Sequence, residues 1–123
     1  DQVYNYAMFD YDAPNFTLNF IKGKMLYCLG VQDFRQVVAY SQYRNQTLEE
    51  QVLDLDAKQK QEIYMFLQNN LKPENKDYYY DFFYDNCATR IRDILDSTTN
   101  ISYDTVAVFK DVTFRDLLQE YTK

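Results

Sequence analysis

The 123-residue chain contains no histidine and no tryptophan, and it has only two cysteines, two glycines and two prolines. Without histidine, the chain by itself builds no His-containing zinc site, no Ser-His-Asp triad and no Cys-His dyad. Two cysteines are too few for a disulfide scaffold. The scarcity of glycine and proline argues against disorder, collagen-like repeats and low-complexity sequence.

Long apolar runs and clustered basic residues are missing as well. No stretch approaches the roughly 20 apolar residues that a membrane-spanning helix needs. The formal charge is −6, and the densest basic pair, Arg90 and Arg92, is balanced by Asp93 and Asp96. Because nucleic-acid binders normally present a basic face, we expect no nucleic-acid partner.

Aromatic residues are abundant, with 13 tyrosines and 9 phenylalanines. A tyrosine has an apolar body and a polar tip, so it suits half-buried surfaces and the walls of grooves. The densest aromatic run covers residues 78–84, which we interpret as part of a sheet or core rather than as a ligand-stacking surface. The length fits one domain over residues 1–123.

Apolar periodicity predicts a mixture of strands and helices, which indicates an α+β fold. Extended segments are predicted at residues 2–9, 24–31, 43–55, 76–84 and 101–109. In the second of these, Met25, Tyr27 and Leu29 share one face, and Leu26 and Cys28 share the other.

Helices are predicted after residues with good capping side chains. The pairs Asp33/Gln36 and Asp56/Gln59 have the spacing of a capping box. The predicted helices cover residues 16–22, 34–41, 57–71, 87–96 and a last segment that begins at Thr113.

Cys87 is the residue whose position predicts chemistry, because it follows two good capping residues, Asp85 and Asn86. The free N–H groups and the dipole at a helix start stabilise an anion, and the thiolate is the nucleophilic form of cysteine. The same N–H groups could hold the oxyanion of a tetrahedral intermediate. Strand, loop, cysteine and helix follow in the order that thiol enzymes need.

A structural interpretation of the cysteines stands beside this one. Cys87 shares a helix face with Ile91 and Leu95, so it could fill core space. Cys28 lies inside a predicted strand, where packing is the expected role, and a Cys28–Cys87 disulfide stays open. In this interpretation Arg90 is an ordinary solvated charge.

Three stretches resemble the Lnb N-terminal periplasmic domain family. They are residues 4–10 (YNYAMFD) with residues 20–24 (FIKGK), residues 80–93 (YDFFYDNCATRIRD) and residues 113–118 (TFRDLL). The resemblance covers nearly the whole chain, and its most specific part is the segment around Cys87. It implies a bacterial periplasmic or cell-envelope location.

The resemblance also implies a fold and an activity. The fold would be a circularly permuted papain-like half-barrel sheet packed on helices. The activity would be that of a thiol acyltransferase, in which Cys87 takes an acyl chain from a phospholipid and passes it to the amino terminus of a lipoprotein. Supporting positions would be Asn86, Thr89, Arg90 and Asp93, and we expect no cofactor and no metal.

The sequence departs from this family in one respect. The family histidine belongs to a Gly-His motif upstream of the segment that matches residues 4–10, and this chain has no histidine. We therefore expect the chain to be an internal fragment of the domain, inactive by itself, with membrane proximity supplied by other parts of its parent. A cell-wall thiol hydrolase of the same fold and a non-catalytic envelope binding module are the alternatives.

Overall fold

The computed structural model describes residues 1–101 together with Thr113 and Asp116. The order of its elements is β1 (Gln2–Phe9), α1 (Phe16–Ile21), β2 (Leu26–Asp33), α2 (Phe34–Tyr43), α3 (Ala57–Asn70), β3 (Asp77–Tyr79) and α4 (Cys87–Thr98). Within the described part of the chain this is an α+β fold, as the sequence predicts. The strand and helix predicted beyond residue 101 lie outside the described residues, apart from Thr113 and Asp116.

The three strands form an antiparallel sheet in the order β1-β2-β3. Between Asn5 and Met8 the register shifts, so that Tyr6 and Ala7 lie opposite Leu29. Such a bulge kinks the strand and re-aims a side chain. Here Tyr6 and Leu29 are both buried, at 3% and 2% exposure. The bulge therefore places Tyr6 of β1 in the same core as Leu29 of β2.

Helix α3 begins as its capping signal predicts. The Asp56 carboxylate accepts a hydrogen bond from the Gln59 amide at 2.8 Å, and the Gln59 side chain accepts one from the Asp56 amide at 3.0 Å. Helix α2 begins at the predicted place, but the predicted capping box is wrong. Asp33 accepts from the Arg35 amide instead of pairing with Gln36.

Two extended segments are shorter than the sequence predicts. No regular structure forms between α2 and α3, where residues 43–55 were expected to be extended. The aromatic run contributes only β3, because hydrogen bonds to the Asp81 carboxylate from Phe83 and Tyr84 close a turn directly after it. Side chain-to-backbone bonds of this kind compete with strand pairing.

One face of the sheet carries the core. Tyr6, Leu29 and Tyr78 pack there with Ile94 of α4, and α3 adds partly buried apolar side chains. Helix α4 thus rests on both α3 and β1. Burial of these side chains is the main stabilising term that fixes α4, and with it Cys87, relative to the sheet.

The other face of the sheet is more open. Leu26 is 50% exposed, and Cys28 is half-buried in the wall of a cavity of about 490 Å³. The expectation that Cys28 packs in the core is therefore wrong. Both cysteines are free thiols, which answers the open question of a Cys28–Cys87 disulfide.

Candidate functional site

A closed turn at residues 81–85 leads into helix α4. Asp81 and Asp85 exchange backbone hydrogen bonds of 2.8 and 3.2 Å, which pin the two ends of the turn together. The Asn86 side-chain amide then donates to the Phe82 carbonyl at 2.9 Å. The residue before Cys87 is thereby tied to the turn, and the start of the helix has one fixed position.

Asn86, not Asp85, is the residue that caps α4. Its side-chain oxygen accepts from the amides of Ala88 and Thr89 at 2.9 and 3.0 Å, and its own amide donates to the Thr89 hydroxyl at 2.8 Å. These bonds occupy three of the four N–H groups that have no partner within the helix, those of Asn86, Ala88 and Thr89. The Cys87 amide has no hydrogen-bond partner among the described residues, so it is the first-turn donor left for an anion.

The Cys87 thiol is half-buried against the edge of the core. Three tyrosines from two strands and the loop after β3 lie near enough for a charge on Cys87 to affect them: Tyr27, Tyr78 and Tyr80. The rings of Tyr27 and Tyr80 stack with centroids 4.4 Å apart, and Tyr78 tilts against Tyr27 at 6.0 Å. The thiol therefore lies beside an aromatic wall, reachable but partly shielded from water.

All three of these tyrosines have raised pKa values. Burial is the largest cause for each, and negative charge at Cys87 raises each pKa further. The Arg90 guanidinium opposes the shift at Tyr78. The three side chains consequently stay neutral near pH 7.

Arg90 is anchored on both sides. Its guanidinium makes two parallel hydrogen bonds to the Asp85 carboxylate at 2.7 and 2.8 Å, and its Cζ lies 3.8 Å from the centroid of the Tyr78 ring. The Tyr78 hydroxyl in turn donates to the Tyr6 carbonyl at 2.7 Å. The bidentate geometry and the ring contact hold α4 against the sheet.

The predicted supporting residues separate into two groups. Asn86, Thr89 and Arg90 are in the first turn beside Cys87, where two form the cap and one forms the ion pair with Asp85. Asp93 lies one turn further along and pairs with Arg92 at 2.6 Å. The structure brings the first three together at the thiol and assigns Asp93 to a surface ion pair.

Sequence reasoning missed the tyrosine wall and the partner of Arg90. Tyr27 lies near Cys87 because β2 pairs with β3 in a register that places Tyr27 opposite Tyr78. Nothing local in the sequence signals this pairing. The Asp85–Arg90 pair had a weak signal, since opposite charges flank a predicted helix start.

An aromatic cavity of about 480 Å³ lies beside this site, between the end of α1 and the turn at residues 81–85. It is lined by Phe20, Ile21, Lys22, Gly23, Tyr80, Asp81, Phe82 and Phe83. Cys87 is not among its lining residues, but Tyr80 borders both the cavity and the thiol. Among the described residues no group of three side chains is arranged to hold a metal ion.

The family model of the Lnb N-terminal periplasmic domain matches residues 1–122. No curated protein and no solved structure matches the chain. Within the part that the structure describes, no helix combines the length and apolar character needed to cross a bilayer.

Proposed function

The chain belongs to the Lnb N-terminal periplasmic domain family, and from that premise we propose that Cys87 is the nucleophile of a cell-envelope thiol acyltransferase. Membership assigns the chain to the bacterial periplasm. The acyltransferase activity and a permuted papain-like arrangement of the whole domain are the proposal. Its donor would be a phospholipid and its acceptor the amino terminus of a lipoprotein.

One observation carries this proposal. Cys87 is a free thiol at the first position of a helix whose cap is neutral, and its own amide is unpaired among the described residues. The positive end of a helix stabilises an anion, and the thiolate is the nucleophilic form of cysteine. The unpaired amide is available to a negative oxygen that forms on the atom under attack.

The reaction then runs in two balanced steps. A general base takes the Cys87 proton, and the thiolate attacks the carbonyl carbon of a phospholipid ester to form a tetrahedral intermediate whose oxyanion accepts from the Cys87 amide. The C–O bond breaks, the alcohol leaves with the proton that the base took from the thiol, and a thioester remains. In the second step an amine attacks the thioester carbonyl, the C–S bond breaks, and the proton lost by the amine restores the thiol.

The aromatic wall and the ion pair have supporting roles in this scheme. Tyr27 and Tyr80 pack, like Cys87, against the same core, and their stacked rings offer an apolar surface to an acyl chain. Arg90, fixed by Asp85 and Tyr78, is a positioning residue that holds the cysteine helix in place. A general base is still required, and these 123 residues contain no histidine to serve as one.

The test is the mass of the protein after exposure to phospholipid. The protein as the cell makes it, incubated with lipid alone, should gain one acyl chain at Cys87 that hydroxylamine removes. An amine acceptor added afterwards should take over this acyl chain and restore the original mass. Cys87→Ala should lower acyl transfer by about a thousandfold or more, because no other thiol at a helix start replaces it. Cys28→Ala is the matched control, and it should retain the wild-type rate.

The 123-residue chain by itself should form no acyl-enzyme at a measurable rate, since it contains no histidine to act as the general base. If the native protein released cell-wall peptides and formed no acylated product, its activity would be hydrolysis and not acyl transfer. If Cys87→Ala left every activity intact, the domain would be a binding module and the thiol a packing residue.

A further inference from the structure

The open face of the sheet holds the cavity of about 490 Å³ in whose wall Cys28 lies, and we call it the open-face cavity. Met8 of β1 is opposite Cys28 of β2 in the strand register. Leu26 projects from the same face as Cys28, because side chains two residues apart in a strand share a face. All three line the cavity, so its floor is apolar and contains a thiol that can report whether the cavity is filled.

Three charged residues form the rim of the open-face cavity: Asp10, Lys24 and Asp77. Asp10 follows β1 and Lys24 precedes β2 at one end of the sheet, and Asp77 of β3 is opposite Cys28. None of the three forms an ion pair with a described residue. One oxygen of Asp10 accepts from the Asp12 amide at 2.9 Å, which leaves its second oxygen available. The two carboxylates and one ammonium give the rim a net charge of −1.

These charges favour one class of ligand, since binding partners present complementary charge. An anion would meet two carboxylates, and an uncharged apolar molecule would leave all three rim charges without a partner. A free amino acid has no net charge to offset that of the rim. The amino-terminal residue of a peptide has a net positive charge on its ammonium, a carbonyl that can accept from Lys24, and a side chain for the floor.

We infer that the open-face cavity binds the amino terminus of a peptide whose first residue is apolar. Its ammonium pairs with the rim carboxylates of Asp10 and Asp77, its first carbonyl accepts from Lys24, and its side chain lies on the apolar floor. This inference does not rest on the proposed function. The floor is on the sheet face opposite the core against which Cys87 packs, so the amine bound here is not the one that Cys87 acylates.

Alkylation of Cys28 tests the site without any substitution. The protein as the cell makes it is treated with iodoacetamide at increasing concentrations of leucyl-glycyl-glycine amide, and peptide mass spectrometry reads the two thiols separately. The peptide should slow the labelling of Cys28 to a saturable limit, because the bound leucine side chain covers a thiol in the cavity wall. The labelling of Cys87, on the core side of the sheet, should keep its rate.

Two altered peptides separate the features that the cavity recognises. The N-acetylated form of the same peptide has the leucine side chain and the carbonyl but no positive charge, and it should not protect Cys28. Triglycine amide has the ammonium but no apolar side chain. It should compete with the leucine peptide only at about fivefold higher concentration, because it buries no apolar surface on the floor.

Variants of the rim test the carboxylates. Asp77→Asn should raise the peptide concentration for half-maximal protection about threefold to fivefold, the effect of losing an exposed ion pair. Adding Asp10→Asn should raise it further, and asparagine at this position can still accept from the Asp12 amide, so the turn is kept. The matched control is Asp54→Asn, which makes the same change in charge at an exposed residue outside the cavity and should leave protection unchanged.

Four results would overturn this inference: no saturable protection by the leucine peptide, equal protection by its acetylated form, an equal loss of protection in Asp54→Asn, or equal slowing of labelling at Cys87. Cys87→Ala should retain full protection of Cys28. Protection without any acyl transfer by the native protein would leave the peptide site standing and remove the proposed function. Acyl transfer without protection would remove only the peptide site.

Discussion

Helices α3 and α4 both begin with a capping box, but the capping residue is charged in α3 and neutral in α4. Each has a capping box, formed by Asp56 and Gln59 in α3 and by Asn86 and Thr89 in α4. The cap of α3, Asp56, carries a negative charge that compensates the positive end of the helix, whereas the cap of α4, Asn86, is neutral and the nearby Asp85 carboxylate is paired with Arg90. The first residue of α3 is Ala57, and the first residue of α4 is Cys87.

The comparison shows that a capping box alone does not make an anion site. The same hydrogen bonds stabilise both helix starts, but only α4 combines a neutral cap with a side chain that can ionise. Helix α4 is also held more firmly, because Ile94 is buried and Arg90 contacts the Tyr78 ring, while α3 has no fully buried residue. Three experiments test this difference between the two helices.

The largest expected effect concerns how firmly each helix is held. Ile94→Ala should lower the free energy of unfolding by about 2–4 kcal/mol, because Ile94 is 6% exposed and its removal leaves a cavity. Leu67→Ala in the partly buried face of α3 should cost less, about 1–2 kcal/mol. Urea denaturation of both variants measures the difference. Equal losses would mean that α3 and α4 are anchored alike.

A smaller effect is expected from the titration of Tyr78, which lies under α4. Its folded pKa is raised, mainly by burial, so the folded state holds the phenolic proton more tightly than the unfolded state. The resulting stabilisation is complete below the unfolded pKa of about 10 and is lost as pH rises above it. Stability should then fall by at most about 1.4 kcal/mol per pH unit from this one group.

Urea denaturation from about pH 8 to about pH 11 covers the pH at which that loss begins. Tyr78→Phe should reduce the alkaline slope, at a cost of about 1–3 kcal/mol at neutral pH, because the Tyr6 carbonyl loses its donor. Tyr43→Phe removes a hydroxyl from a residue that is 86% exposed and serves as the control. An unchanged slope in Tyr78→Phe would show that other groups govern alkaline unfolding.

The smallest expected effect tests the charge of the cap itself. Asn86→Asp gives α4 the acidic cap of α3, and iodoacetamide labelling of Cys87 should slow about threefold to fivefold, because the carboxylate competes with the thiolate for the helix dipole. Asp56→Asn, the reciprocal change in α3, should leave the labelling rate unchanged. Peptide mass spectrometry reads Cys87 separately from Cys28.

A looser structure around Cys87 would not slow the labelling of its thiol. Asn86→Asp also removes the amide that donates to the Phe82 carbonyl, and this costs about 1 kcal/mol. A looser turn would expose Cys87 and speed its labelling, so slower labelling can only come from charge. Equal labelling rates in wild type and Asn86→Asp would mean that the cap has no influence on the thiol.

Local signals in the sequence predicted the elements around the site well. Asp56 with Gln59 marked the start of α3, and the residues before Cys87 marked the start of α4. Prediction failed where two local choices compete. The Asp33 carboxylate could accept from the Arg35 amide or form a capping box with Gln36. Asp81 could belong to a strand or close a turn. In both cases a hydrogen bond from a backbone amide to the Asp side chain gives the observed structure.

Local sequence is enough to predict that Cys87 begins a helix, since capping depends on side chains within three residues of one another. Which aromatic residues lie near Cys87, and which apolar residues stay exposed, depends on the tertiary structure. The pairing of β2 with β3 brings Tyr27 beside Tyr78 from a position 51 residues earlier in the printed sequence, and packing of α1 leaves Ile21 outside the core. Contacts between distant residues depend on register and packing, which no local pattern encodes.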